Sequence, residues 1–443
     1  MAYFDIVARG SSVKREILAG VATFLSVAYI FVVSPSILSA AGIDLTSAFV
    51  ATAIAATLAT FAMGFWANLP FAVAPGLTMS SYFSFVVVKQ MGFTWQQALA
   101  TVFLSGVLCF VLTALPLRRR LIESIPLGLK RAIATMVGVF VASIGLLLTN
   151  VIATGHPLIS VDLAGLNPIG NPSIWVLLTG LGLCAALSND RVNLPGGTVI
   201  AIAGACIVYW ATVAAPATPA AASSDGLAAV GQLDFTILAG TSFIVPMLIF
   251  FILDFFEGVG EFIGLTTHTS IQDPEGNVPN LERGLYVDGV ATAAGSLLGT
   301  SSLIIFVESA VGIKAGGRTG LTAVTCAVLM GIVAGIGYFF SSALTLIPAA
   351  AAAGVLVFVG IVLVTSSVAG MRDGHLGSFD VAVSAAMAIL SFATFSMDKP
   401  LAFGFAAYFL QALTLPAAQR NSRLWLGAIA LLLLFVILFE FIE

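Results

Sequence analysis

Charge is what this sequence has least of. Lys, Arg, Asp and Glu together make up 9% of its 443 residues, against 59% hydrophobic residues and a mean hydropathy of +1.09. A soluble domain carries roughly 25% charged residues, so water is excluded as the main solvent of this chain. Histidine is almost absent: His156, His268 and His375 stand apart at loop or helix-end positions, without HExxH or clustered ligand spacing, and read as surface residues. Cysteine is nearly as sparse. Cys109, Cys184, Cys206 and Cys326 are scattered through apolar segments without CxxC spacing, which excludes a redox or zinc motif and makes them small buried hydrophobes. The opening MAYFDIVARGSSVKREIL puts charge ahead of the first apolar run but lacks a short hydrophobic region followed by a cleavage site, so no signal peptide is read there. No nucleophile with its base can be argued, so no enzyme is expected, and neither is a nucleic-acid partner.

What is abundant is apolar sequence in membrane-length runs. A bilayer core about 30 Å thick needs roughly 20 apolar residues per spanning helix. Runs fall near 16–41, 45–67, 77–88, 95–115, 129–150, 173–187 and 196–213. After an Ala/Pro/Ser-rich stretch at about 214–234 they resume near 237–267, 284–299, 307–313, 318–341, 348–366, 379–396 and 401–416. The pattern predicts an all-α polytopic membrane protein, a single transport domain over 1–443, with about fourteen segments as two repeats of seven, 14–213 and 237–416. An odd number of spans per repeat forces the second to be inverted. A further apolar run at 423–441 is left over as an extra C-terminal segment, either a helix or part of a hairpin with its neighbour.

The third and tenth runs are too short to span, and each follows an extended-looking stretch, Pro70 to Thr78 and Thr300 to Phe306. They occupy matching places in the two repeats. Backbone leaves helical form at membrane depth only where it lines a cavity, so paired interrupted segments point to a transporter's binding site. Basic residues orient the chain. With a cytoplasmic N-terminus, Arg9, Lys14, Arg15, Arg118 to Arg120, Lys130, Arg131, Arg191, Arg283, Lys314, Arg318, Arg372, Arg420 and Arg423 fall inside the cell, leaving Lys89 and Lys399 outside.

Acids then appear where the bilayer should forbid them. FFILDFFEGVGEFIGL sets Asp254, Glu257 and Glu261 at i, i+3 and i+7, one face of a helix, with no basic residue in the segment. An ionised acid at mid-bilayer costs about 2.5 to 3.5 kcal/mol on insertion scales, so these acids must face a polar cavity, be protonated, or meet a cation or donors. Asp288 in the ninth run and Glu308 after the second extended stretch add two more. Carboxylates converging from different helices suit a ligand rich in N–H donors, or a metal or sodium ion. A carboxyl that can be protonated when desolvated also suits proton coupling. Tyr82, Phe83, Phe251, Phe255, Phe256 and Phe306 flank the acids, and a planar ligand stacks on such rings. The stretch AGGRTGLTA, Ala315 to Ala323, lacks the GxxxxGK[ST] order of a phosphate loop and is expected to be a tight cytoplasmic turn.

At this resolution the residues resemble a known family, the nucleobase:cation symporters of the purine permease type, nearest the hypoxanthine, guanine and adenine permease branch. The similarity runs over most of the chain: GVATFLSVAYIFVVSPSILSAAG (20–42), LPFAVAPGLTMSSYF (69–83), LDFFEGVGEFIG (253–264), VDGVATAAGSLLGTSS (287–302) and FVESAVGIKAGGRTGLTAV (306–324). The resemblance implies a core domain of segments 1 to 4 and 8 to 11 moving against a gate domain of segments 5 to 7 and 12 to 14. Short strands and half-helices in segments 3 and 10 would hold the substrate between them.

Carried over position by position, the resemblance makes Glu257 and Glu308 the binders of a purine nucleobase. Phe306, Ser302, Gly76, Thr78, Ser80 and Phe251 would complete that pocket, with backbone N–H groups of 74–78 and 302–306 contributing. It makes Asp288 a coupling residue, with Glu261 and Asp254 beside it, and implies H⁺ or possibly Na⁺ as coupling ion, no cofactor, a cytoplasmic (inner) membrane location and a possible homodimer. Three departures set this chain apart. The family's usual Gly-Leu-Asn is Thr78-Met79-Ser80, its DLFDTVGT reads DFFEGVGE, and the tyrosine before the tenth-segment glutamate is Phe306. Glu261, in place of a usual threonine, is similar to the xanthine and uracil branches. Two other classes compete with a base carrier: an inverted-repeat anion transporter of the sulfate/bicarbonate type, and a channel or intramembrane enzyme with metal on the carboxylates. An anion site calls for helix N-termini and a basic residue, which unpaired acids do not supply.

Overall fold

The computed structural model describes residues 2–115, 126–153, 160–161, 171–188, 192, 194, 196–212, 226–266, 280–339, 347–372 and 377–414, with 427, 431 and 434. His156, His268 and His375, residues 154–159 and 213–225, and most of 423–441 lie outside those residues. Among the described residues six helical stretches are long and apolar enough to cross a membrane: Val13–Ser39, Leu45–Phe65, Trp95–Ala114, Leu127–Leu148, Gly320–Phe339 and Ala349–Val368. Shorter apolar helices lie between and after them.

The first stretch is α1 (Val13–Val27) and α2 (Ile30–Ser39), parted at Ala28 and Tyr29; Pro35, which cannot donate to the helical ladder, sits inside α2. Next come α3 (Leu45–Phe65), β1 (Val73–Pro75), α4 (Leu77–Ser81) continuing as a π-helical turn over Tyr82–Val88, and α5 (Trp95–Ala114). Polar starts are explicit: the Asp44 carboxyl accepts from the Ser47 N–H at 3.0 Å, and Thr94 with Gln97 forms a capping box. Then follow α6 (Leu127–Leu148), the small hairpin β2 (Ile152–Ala153) and β3 (Ser160–Val161), α7 (Ser173–Leu187) and α8 (Gly197–Thr212). The second half runs through α9 (Ile244–Thr266), α10 (Leu281–Leu298), β4 (Leu303–Ile305), α11 (Ser309–Lys314), α12 (Gly320–Phe339), α13 (Ala353–Arg372), α14 (Ser378–Thr394) and α15 (Asp398–Leu413).

Helices gather into two packing groups. In one, α3 lies along α12, α5 along α10 and α9, and α1 along α11 and α12. In the other, α6 lies along α13 and α14, and α7 along α8 and α13. Without a hydrophobic drive between helices in lipid, close approach depends on small residues. A Cβ on Gly320 would sit 1.8 Å from the Gly64 carbonyl oxygen, so α3 and α12 touch backbone to backbone there.

Both interrupted stretches of the sequence are where the chain becomes extended. β1 and β4 pair antiparallel, Val73 opposite Ile305 and Pro75 opposite Leu303, so strands more than 200 residues apart cross inside the first group. Their remaining polar groups are met by hydroxyls: Thr60 Oγ1 accepts from the Val73 N–H and donates to its carbonyl, both at 2.9 Å, and Thr292 Oγ1 donates to the Leu303 carbonyl at 3.0 Å. Inside a bilayer this is obligatory, because an unsatisfied backbone group there costs several kcal/mol.

Glu16, in the first turn of α1, is fully buried and serves as a cap for α12. Its carboxyl accepts from the Arg318 N–H at 3.0 Å, the Thr319 N–H at 3.2 Å and the Thr322 hydroxyl at 2.6 Å. The glycine-rich AGGRTGLTA is the tight turn expected, with Gly316 at φ +109°; the N–H groups just ahead of α12 are given to Glu16, and that of Gly320, which opens it, to Asn68 Oδ1 at 2.8 Å. Glu16→Gln keeps the shape but replaces an acceptor with a donor facing donors. We expect a loss of about 2 to 4 kcal/mol, read as a clear drop in the unfolding midpoint of detergent-purified protein, while an unchanged midpoint would show that the cap is dispensable.

Candidate functional site

The strand crossing places two acids at the starts of two half-helices. Gly76 precedes α4 and its N–H donates to the Ser302 carbonyl at 3.0 Å; a Cβ there would lie 2.9 Å from Ile304 Cδ1, so the crossing strand leaves no room for a side chain. Glu308 precedes α11, one residue past Val307, and the Phe306 N–H ahead of it donates to the Ala72 carbonyl at 2.9 Å. The first N–H groups of a helix have no intrahelical partner and carry the positive end of its dipole, which favours negative charge beside them. Glu308 is fixed: the Tyr29 hydroxyl, at the break between α1 and α2, donates to its Oε1 at 2.6 Å. Glu257, on α9, is not. Its carboxyl lies by the Thr78 hydroxyl of α4, yet both oxygens are buried and neither is in hydrogen-bond geometry with a described group.

A second polar cluster lies behind β4. Asp254 Oδ1 accepts from Ser302 Oγ at 2.9 Å and from Thr292 Oγ1 at 3.4 Å, tying α9 to the strand and to α10. Asp288 comes from α10 against Gly258 of α9, where a Cβ would lie 3.0 Å from its Oδ2. Cys109 of α5 joins them: one ligand atom from each of Cys109, Asp254 and Asp288 lies within 4.8 Å of the others, and all three residues are buried.

The site residues expected from sequence thus separate into two places. Glu257, Glu308, Thr78 and Gly76 share the strand crossing, as does Phe306, which is 4% exposed and packed in the core beside β4. Phe251 is half-buried on α9 before Glu257, its ring 5.7 Å from that of Phe255 and tilted 45° to it. Ser302 and Ser80 have other commitments. The Ser302 hydroxyl is given to Asp254, and Ser80 Oγ lies 2.7 Å from Ser301 Oγ and 3.2 Å from Ser34 Oγ, a chain of hydroxyls that joins α2, α4 and the β4 approach. Expected backbone donors are corrected at two positions, since the Gly76 and Phe306 N–H groups are consumed by strand pairing. Glu261 lies in α9, and its side chain is outside the described residues.

Sequence reasoning missed Tyr29, Glu16 and the place of Cys109. A tyrosine inside an apolar run reads as an interfacial or core aromatic, and its partner is 279 positions away. Asp398, 2% exposed in the first turn of α15, was also missed because an acid at that position reads as an exposed cap.

A multi-pass membrane carrier is the class that this fold and site define. The family described as "Permease family" (Xan_ur_permease) matches residues 14–393, and the chain belongs to it. Adenine permease AdeQ of Escherichia coli (strain K12) is 33% identical over 406 residues, covering 91% of this chain and 88% of that one. Guanine/hypoxanthine permease PbuO of Bacillus subtilis (strain 168) is 32% identical over 452 residues, covering 98% of each. Among solved structures, the transmembrane domain of the cyanobacterial bicarbonate transporter BicA shares the fold at a TM-score of 0.65 and 14% identity, covering 89% of this chain and 97% of that one. The chain is therefore a transporter of a nucleobase permease family and not an enzyme.

Proposed function

We propose that the chain imports purine nucleobases across the cytoplasmic membrane by proton symport. Glu257 and Glu308 accept N–H donors of the base, and Asp288, with Asp254 and Glu261, handles the coupling ion. One observation carries this: Glu257 keeps two buried oxygens unfilled at the strand crossing that also presents Glu308. A buried acceptor without a partner costs about 1 to 3 kcal/mol, a cost that a donor-rich ligand removes. The antiparallel crossing of β1 and β4 supports two inverted repeats, the fourteen apolar runs and the placement of basic residues support seven segments in each with a cytoplasmic N-terminus, and the two packing groups support a core moving against a gate. Relatives named for adenine and for guanine and hypoxanthine support the substrate class.

An anion carrier of the bicarbonate type shares the fold, but this crossing presents carboxylates where an anion needs positive groups. Uptake of radiolabelled hypoxanthine into proteoliposomes under an inward proton gradient, competed by adenine, guanine, xanthine and uracil, tests the proposal. Saturable uptake that a purine competes and a protonophore abolishes is the expected result. No uptake and no competition by any base would reject it, and uptake driven only by a sodium gradient would replace the coupling ion.

A further inference from the structure

Glu257 and Glu308 differ in what they have left to offer a ligand, and the difference is made by one hydroxyl. Tyr29 is 1% exposed and sits where the first membrane stretch breaks between α1 and α2. From there it reaches across to the start of α11 and donates to Glu308 Oε1 at 2.6 Å. No comparable donor is in hydrogen-bond geometry with either oxygen of Glu257. A carboxylate accepts along about four lone-pair directions on two oxygens, so a short hydroxyl contact orients the group and occupies one of those directions. Tyr29 belongs to the same packing group as α11 and α12, so the contact is rigid within that group.

We propose that Tyr29 is a specificity-determining residue of the base site: by holding Oε1 of Glu308 it fixes which lone-pair directions of that carboxyl face the ligand, an orientation that Glu257 is not given in this way. A ligand that fits brings its donors to Glu308 along those directions. Bases whose donors are distributed otherwise leave a donor or an acceptor unmatched. Mismatches of this kind discriminate strongly, because the penalty falls on buried groups. Tyr29 acts through Glu308, so its removal frees that carboxyl to rotate and accept along other directions. This inference rests on the proposal that the two acids bind a nucleobase.

The test is Tyr29→Phe, which keeps the ring and deletes the hydroxyl, assayed in proteoliposomes for uptake of the base that wild type takes up best and for competition by four others. KM for the preferred base should rise on the order of tenfold with Vmax within about twofold, the size expected for one charge-assisted hydrogen bond. The advantage of the preferred base over its nearest competitor should shrink by a similar factor. Glu308→Asp, which withdraws the carboxyl from the hydroxyl by one methylene, should flatten the ranking in the same way, and Tyr29→Phe should add nothing further in that background. An unchanged ranking, a uniform weakening of all bases, a fall in Vmax alone, or additive effects in the double variant would each overturn the proposal. Should Tyr29→Phe fail to fold, the ranking in Glu308→Asp decides by itself. Wild type that takes up no base defeats the transport proposal and this one together, whereas wild-type uptake with an unaltered ranking in the variants defeats this one alone.

Discussion

Glu308→Gln is expected to reduce kcat/KM for purine uptake by about two to four orders of magnitude while leaving the amount of protein in the membrane unchanged. The protein should persist because Tyr29 can still donate to the amide oxygen that replaces Glu308 Oε1, so the 2.6 Å contact to the first membrane stretch survives. Binding should not, for two reasons that add. The hydrogen bond to an ionised acceptor is lost, worth about 1.5 to 3 kcal/mol, and an amide NH₂ facing a donor of the base leaves two buried donors opposed, a further 1 to 3 kcal/mol. Together these come to about 2.5 to 6 kcal/mol, or roughly 10² to 10⁴ in affinity. Glu257→Gln should lose as much, and the Thr78 hydroxyl beside its carboxyl can still turn toward the amide oxygen. Quantitative uptake alongside an immunoblot of membrane protein measures both terms. Uptake within threefold of wild type in either variant would remove that acid from the site.

Much of this arrangement is legible in the sequence because it is signalled by violation of the bilayer's rules. Short runs at 77–88 and 307–313 fail the length requirement, and the chain is extended just before each, at Val73–Pro75 and Leu303–Ile305. Acids at Glu257, Glu308 and Asp288 fail the polarity requirement, and the structure puts them at the crossing or behind it. What the sequence does not show is which polar groups answer which, since those contacts join distant segments. Ser80 and Ser302 read as pocket residues by their position next to glycine and strand, yet their hydroxyls are spent on Ser301 and Asp254. Glu16 reads as a charge at the cytoplasmic rim, yet it is buried and closes the N-terminus of a helix three hundred positions on. Local pattern carries the cost of a buried polar group, and only the tertiary fold carries its repayment.

We propose that the second cluster carries the ion-coupling step, and that assignment yields the other large effect. Asp254 holds Ser302 at 2.9 Å, and the residue after Ser302 begins β4, whose far end leads through Phe306 to Glu308. Asp288 faces the same group from α10, within 4.8 Å of Asp254. A proton gained or lost in this cluster therefore changes what Ser302 and Thr292 donate to, and both hydroxyls bear on the strand that positions the base site. Because neither Asp254 nor Asp288 needs to touch the base, Asp288→Asn should keep base binding within about threefold and still exchange external for internal base without any gradient. It should lose gradient-driven accumulation. One pH unit supplies about 1.4 kcal/mol per proton, a tenfold accumulation for one proton per base, so wild type should reach a ratio near ten and the variant a ratio near one. The measurement is exchange and net accumulation in the same proteoliposomes. Loss of both would make Asp288 a structural residue of the α9 and α10 interface, and retention of both would move coupling to Glu257 or Glu261; only exchange without accumulation ties the strand to the proton.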